Sequence, residues 1–379
     1  MRILVLTKRQ YTGKDLLKDR FGRLRELPLG LAQLGHEVNG ICLSYRQRPE
    51  GLIADMDADS GARVSWHSLN LGYLVIPGLT KYFLKVHELA REFRPDVIWA
   101  LSDSLHAIFG VWLAKLFKTK CVVDLYDNFE SFPATWLPGV LPLFRRAVKN
   151  AEGVTCVSRD LADRVTRNYR RRGPTAVLEN GVRRDLFYPR DRGTCRRRLG
   201  LPEEAKILGT AGALYRTRGI DALFRGFELL SSEEKNLHLV IAGPRNCHTR
   251  IPTGPQVHDL GILPLEEVPY LINSLDLAVI CNRDSLFGRY CFPQKLYEII
   301  ACHIPMVAAA VGSVKELLER YPECLFDPEN PESLASAARS QLSRPTRLEF
   351  DVPGWSDIAQ RLETFLEKIL AIRNSTQES

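Results

Sequence analysis

No run of about 18 uncharged apolar residues occurs in the 379-residue sequence, so the chain offers no segment able to cross a membrane as a helix. The opening residues are not expected to act as a secretory leader. The opening MRILVLTKRQ has too short an apolar stretch and no small-residue cleavage site, and it reads as a first β-strand. The nine cysteines show no C-x-x-C spacing, which removes the usual zinc and redox motifs. An odd, unpatterned set lying mostly in apolar runs fits small hydrophobes in a reducing cytoplasm. No repeat of about 20–50 residues and no low-complexity segment occurs, which excludes solenoids and disordered arrays.

What is present is an ordinary globular balance, 45% apolar and 26% charged, long enough for two cores. The charge is uneven. Residues 1–190 hold 30 Lys and Arg against 20 Asp and Glu, a net of +10, so the remainder carries −3 of the whole-chain +7. A basic first half suits an anionic partner such as a lipid surface or a phosphate-bearing acceptor, or it is simply a face rich in arginine. Nucleic acid is disfavoured, because the basic stretches lack interleaved aromatics and any reading motif.

Along the chain, apolar strands alternate with amphipathic helices. RILVLT, EVNGICLS, RPDVIWALS, KCVVDLYD and GVTCVS read as strands, and RLRELPLGLAQL and LHAIFGVWLAKLF as helices. The alternation restarts at AKILGTAGAL and continues through LHLVIAGP, LDLAVICN, PQKLYEIIAC and PMVAAA. The fold class expected is α/β: two doubly wound, Rossmann-like parallel-sheet domains facing across a cleft. The polar, turn-rich RRDLFYPRDRGTCRRRLG marks the boundary, which gives domains 1–188 and 189–355 and a C-terminal helix and tail 356–379. That helix is expected to cross back to the first domain, and the tail RNSTQES to fray. Ligands of such sheets bind beyond the carboxyl ends of the strands.

In GRYCFPQKLYEIIAC, residues 288–302, Pro293 suits the first turn of a helix and GRYCF reads as the loop feeding it. Free N–H groups at the helix start attract an anion, Gly288 permits close approach, and Glu298 stands where it could accept from a vicinal diol. Phosphate and diol together describe a nucleoside diphosphate. The same pattern would also serve a plain core helix with Lys295 and Glu298 in water. In GTAGALYRTRGIDAL, residues 209–223, Arg216 and Arg218 sit in a strand-to-helix loop, where guanidinium suits a diphosphate or simply solvent.

The order LENGVRRDLFYP, GALYRTRGIDALFRGFELL, LHLVIAGP and CFPQKLYEIIACHIPMVAAAVGSVKELL resembles the C-terminal half of family 4 glycosyltransferases of the GT-B fold, and GLAQLGHEV resembles their first helix and its turn. The resemblance implies a retaining enzyme that moves a sugar from a nucleotide diphosphate sugar (a UDP- or GDP-sugar) to an acceptor. It implies no cofactor beyond that co-substrate, and no bound metal. Glu298 matches the second glutamate of the family's E-x7-E motif, which binds the ribose; the first falls at Tyr290. Backbone amides of Tyr290, Cys291 and Phe292 are the candidates for the donor sugar. In the family's glycine–arginine to lysine–glycine pattern, Gly212, Arg218 and Gly219 match, Arg218 standing for the diphosphate-gripping lysine. Ala213 replaces the arginine, and Arg216 or Lys295 is the candidate substitute.

On the acceptor side the resemblance points to Gly13, Lys14, Asp15 and Arg20, and to Asp127, Asn128 and Glu130 in VVDLYDNFESF, which lacks the family's frequent His. These polar residues would equally serve as caps. Arg218, Glu298 and Asp127 are the expected catalytic set. Ser158 reads as a helix N-cap. DMDAD, residues 55–59, looks like a metal-binding D-x-D but reads as a polar loop with no strand before it. WLPGVLPLFRRAVK, residues 136–149, joins apolar residues to cations, as does a helix at an anionic bilayer; the alternative buries Trp136 and Phe144 in the core. The expected partners are a nucleotide sugar and a glycan or lipid-linked acceptor, in the cytoplasm or peripherally at the inner membrane face. Two rivals remain: a nucleotide-sugar epimerase, and a nucleotide-sugar-binding scaffold without turnover.

Overall fold

A computed structural model of the protein describes residues 1–11, 13–57 and 59–372. The tail 373–379, Thr12 of the acceptor-side loop and Ala58 of DMDAD lie outside the described residues. The chain divides into two compact units, Met1–Asn180 with the segment from Trp355 onward, and Gly181–Gly354.

In the first unit the chain runs β1 (Arg2–Lys8), α1 (Arg23–Gln33), β2 (Glu37–Ser44), β3 (Gly51–Met56), β4 (Arg63–Asn70), α2 (Val75–Phe93), β5 (Val97–Ala100), α3 (Ser104–Phe117), β6 (Lys120–Leu125), α4 (Val140–Asn150), β7 (Gly153–Cys156), α5 (Arg159–Asn168) and β8 (Thr175–Val177). The eight strands lie in the order β8-β7-β6-β5-β1-β2-β4-β3. All pairs are parallel except β3 with β4. β1 is central, and Ile3 to Leu6 are fully buried because both faces of a parallel sheet are covered. Right-handed crossovers that all run toward β8 put α2, α3, α4 and α5 on one face. The C-terminal helix Trp355–Ala371 packs on α1, where Gly30 makes room: a Cβ there would lie 2.6 Å from the Cβ of Ala359.

The second unit continues with α6 (Arg192–Leu199), β9 (Lys206–Ala211), α7 (Ile220–Glu233), β10 (Leu237–Ala242), β11 (Val257–Asp259), α8 (Val268–Ser274), β12 (Leu277–Ile280), α9 (Leu286–Tyr290), α10 (Gln294–Ala301), β13 (Met306–Ala309), α11 (Gly312–Leu317), β14 (Leu325–Phe326) and α12 (Pro331–Ser343). Its sheet is wholly parallel, in the order β11-β10-β9-β12-β13-β14. Leu208, Leu223, Leu239, Leu277 and Leu334 are fully buried in its core.

Four expectations change. Residues 181–188 join the second unit, so the division falls after Asn180 and not after 188. The turn-rich stretch thought to link the domains contains α6. Its Arg196 is buried, donating to the carbonyls of Ser274, Glu203 and Ala205 and to Asp276, so a polar sequence hides a surface helix anchored by one buried arginine. DMDAD begins on the last two residues of a strand, β3, an exposed edge too weakly alternating to be legible. Its first carboxylate, Asp55, turns inward to Arg25 (2.9 Å), while Asp57 accepts from Ser60, so the two do not converge. Finally, Gly288, Arg289 and Tyr290 belong to the short helix α9 rather than to a loop, and Pro293 is the extended N-cap of α10 rather than its first turn.

Candidate active site

Beyond the carboxyl ends of β9 and β10 two glycines meet back to back. Gly212 (φ 122°) and Gly243 (φ 146°) adopt backbone that side chains disfavour, and a Cβ on Gly243 would stand 1.8 Å from the carbonyl oxygen of Gly212. A Cβ on Gly212 would stand 3.0 Å from Lys295 Nζ, so the missing side chain is what admits the lysine. Gly243→Ala is therefore expected to lower the stability of this unit by about 2–3 kcal/mol, through a clash with backbone that cannot yield, read as a shift in the urea midpoint.

Lys295 is the second residue of α10 and Glu298 lies one turn on. Burial lowers the lysine below its ordinary value, Cys281 and Glu298 pull it back up, and Arg218 pushes it down further. Burial pushes Glu298 up to about 7 against the pull of Lys295 and Gln294, whose amide donates to it at 2.9 Å. Arg218, in the turn before α7, lies with its guanidinium carbon 3.7 Å from the Phe287 ring centroid. Among the described residues Arg218 has no carboxylate partner. Two neighbouring cations and one half-neutral acid leave this spot short of negative charge, which is what a diphosphate would supply.

Not every candidate joins them. Arg216 is exposed and bound to Asp221 (2.7 Å), so Lys295 rather than Arg216 stands beside Arg218 where Ala213 leaves a gap. Gly219 is left-handed at φ 76° and starts α7. The Cys291 N–H is taken by the Phe287 carbonyl (3.0 Å) and is not free for a sugar. Phe292 packs on Tyr297, ring centroids 4.8 Å apart, and Tyr290 closes α9. Gly288 admits the Arg283 carbonyl of its own chain, not an anion: a Cβ there would lie 2.0 Å from that oxygen.

In the first unit the structure corrects two acceptor-side candidates. Burial alone would raise Asp15, but the Arg9 guanidinium and the Leu17 and Lys18 amides outweigh it, and the carboxyl sits below its usual range. With Arg48 also at 3.1 Å, Asp15 is a loop fastener. Glu130 accepts from Arg145, Arg164 and Tyr169, so its oxygens are spent inside the fold. Arg20 leans on Asp55 at 3.7 Å. Gly13 is left-handed (φ 84°) with open space where a Cβ would be, and Lys14 pairs in a two-residue hairpin with Tyr11. Asn128 caps a short 3-10 turn, and its buried Nδ2 has no hydrogen-bond partner among the described residues. Ser158 caps α5 by accepting from the Leu161 amide.

A cluster at the carboxyl ends of β1 and β5 was not read from the sequence. Burial lowers Lys8, and Asp103 and Asp127 pull it back up; its Nζ lies 4.9 Å from the Phe132 ring centroid. Ser102 is left-handed at φ 86°, held by the Lys8 amide (2.8 Å) and the Tyr126 hydroxyl (3.0 Å). Asp103 accepts from Tyr45 (2.8 Å) and meets His106 at 2.7 Å. Backbone strain gathered around buried charge is a mark of a binding site. The one signal was a lysine closing an otherwise apolar central strand. Among the described residues no three His, Cys, Asp or Glu side chains converge as a metal site.

Residues 23–181 match the model of the glycosyl transferase 4-like domain, and residues 205–344 match that of the glycosyl transferases group 1. The chain belongs to the family 4 glycosyltransferases. Of the family's relatives, D-inositol 3-phosphate glycosyltransferase 1 of Catenulispora acidiphila is 31% identical over 189 residues, 45% of this chain and 44% of that protein. The match thus spans about half the relative's length. Two solved structures share the GT-B fold at 18% identity. Sucrose-phosphate synthase from Thermosynechococcus elongatus has a TM-score of 0.75 and covers 98% of this chain and 99% of its own. HepE from Anabaena, solved with UDP-glucose, has a TM-score of 0.69 and covers 97% and 100%.

Proposed function

We propose that this glycosyltransferase moves a sugar from a nucleotide diphosphate sugar, a UDP- or GDP-sugar, to a hydroxyl of a glycan or lipid-linked acceptor, with retention at the anomeric carbon. The observation that carries the reading is the juxtaposition of Arg218, Lys295 and Glu298 beyond the carboxyl ends of β9 and β12, with Gly212 opening the space beside them. The nucleotide sugar held by HepE is the same class of ligand.

In this reading Glu298 accepts hydrogen bonds from the ribose diol, and Arg218 and Lys295 hold the diphosphate. The bond between the anomeric carbon and the diphosphate oxygen breaks, and its electron pair stays with that oxygen, whose growing charge the two cations stabilise. The acceptor hydroxyl forms the new bond on the same face and gives its proton to the departing phosphate. Asp127 and Lys8 are the first unit's candidates for holding the acceptor. Lys295 also weakens the case for a scaffold without turnover, because it supplies the cation that Ala213 lacks.

The test is nucleotide release from UDP- and GDP-sugars, with the product's anomeric configuration read by NMR. Arg218→Ala is expected to raise donor KM and lower kcat together, about 10²-fold in kcat/KM, because its charge serves both bound donor and leaving group. Sugar interconversion without an acceptor would favour the epimerase, and nucleotide binding without any release would favour the scaffold.

A further inference from the structure

One face of the first unit sets exposed apolar side chains beside a row of cations. Trp136, Leu137 and Leu143 at the start of α4 are 76%, 58% and 54% exposed, whereas Phe144 of the same helix is buried. Only half of the core alternative for this stretch therefore holds. Trp112 and Leu116 on α3 and Tyr73, Leu74 and Ile76 at the start of α2 are also exposed, on the same side of the sheet. α3 and α4 contain no acidic residue, while Lys115, Arg145, Arg146 and Lys149 lie along them.

The charge is concentrated in a groove of ≈ 470 Å³ lined by Arg145, Arg146, Lys149, Asn150, Asn168 and Tyr169. Glu130 bridges Arg145 and Arg164 at the edge of this groove. Among the described residues Arg146 and Lys149 have no ion-pair partner. Leu143 lies one turn before Arg146, which sets an apolar edge directly beside the cations.

We propose that this face docks on an anionic bilayer, with a lipid phosphate seated in the groove between α4 and α5 and Trp136, Leu137 and Leu143 entering the interface. Indole suits that depth, with its ring among acyl chains and its N–H toward water. A second copy of the chain is disfavoured, because a two-fold contact would set Arg146 and Lys149 against their own like charges. The inference deepens the proposed function and rests on it only for its use, since an acceptor carried on lipid must be met at a membrane.

The experiment is co-sedimentation of the full chain with vesicles of phosphatidylcholine, alone or with about 30% phosphatidylglycerol. Binding is expected on the anionic vesicles, weak on the neutral ones, and lost on raising salt to about 0.5 M. Arg146→Glu with Lys149→Glu, and separately Trp136→Ser with Leu143→Ser, should each cut binding about tenfold or more. The same variants should keep the wild-type melting temperature and the melting shift given by UDP-glucose or GDP-mannose. Absence of binding to anionic vesicles, equal binding by the variants, or a concentration-dependent dimer abolished by the same substitutions would overturn the proposal. Vesicle binding by a chain that shows no nucleotide-sugar shift would leave it standing while the donor reading falls.

Discussion

Binding of a UDP- or GDP-sugar is expected to tighten about tenfold between about pH 6 and about pH 8, and Glu298→Gln is expected to flatten the profile. Glu298 is 5% exposed, and burial pushes its carboxyl up to about 7. A ribose diol offers two donors, and a carboxylate accepts both where a carboxylic acid accepts one and keeps a proton. Only the ionised fraction is then competent, so the apparent Kd falls as that fraction rises through 7. A nucleotide sugar is the right probe, because its diphosphate is esterified at both ends and does not titrate in this range. Titration calorimetry or a melting-shift series across pH reads the result. An unchanged slope in Glu298→Gln would place the titration on another group.

The same group fixes the sign of a stability change. Its folded value lies above its unfolded value of 4.5, so the fold holds the proton more tightly. That contribution is complete below about pH 4.5 and is lost as the pH rises through about 7. The free protein should therefore lose stability over the window in which donor affinity grows, and Glu298→Gln should remove this component. Glu298→Ala would open a cavity as well, so the glutamine variant isolates the charge. A donor site that is least stable when empty and ionised is one whose strain the ligand relieves.

Much of this was legible in the sequence because strands and helices announce themselves by periodicity, and because Glu298 and Arg218 stand at fixed places relative to strand ends. The losses have physical causes. α6 was hidden because its anchor, Arg196, is a buried arginine that donates to three carbonyls, so the helix lacks the apolar stripe that would announce it. β3 is an exposed edge whose pattern, mostly solvent-facing, carries no alternation. Asp15 and Glu130 look like ligand acids in one dimension, yet their partners Arg9, Arg48, Arg145 and Arg164 come from other elements or other turns. Ser102 and Lys8 were invisible for the converse reason. Their meaning lies in a left-handed dihedral and in two carboxylates from β5 and β6 ends, neither of which a linear pattern records.

Arg23→Ala should be the most damaging single change in the first unit, costing about 3–5 kcal/mol. Arg23 is fully buried at the first residue of α1 and grips Asp124, on β6, through Nε (2.8 Å) and Nη2 (2.7 Å). Its Nη1 donates to the carbonyls of Leu178 and Glu179. Thr155 on β7 donates to the same Asp124. One guanidinium therefore ties α1 to two adjacent strand ends and to the segment that leaves the sheet after β8. Removing it strands a buried carboxylate that cannot reach water, and that stranded charge, more than any lost attraction, is the source of the damage. The double variant Arg23→Met with Asp124→Leu separates the two effects, because it removes both charges and keeps the volume. It should recover most of the stability lost by the single change, as read from urea unfolding of the full chain. If the double variant were as unstable as Arg23→Ala, the carbonyl bonds to Leu178 and Glu179 would be what holds this corner, and the ion pair would be incidental to it.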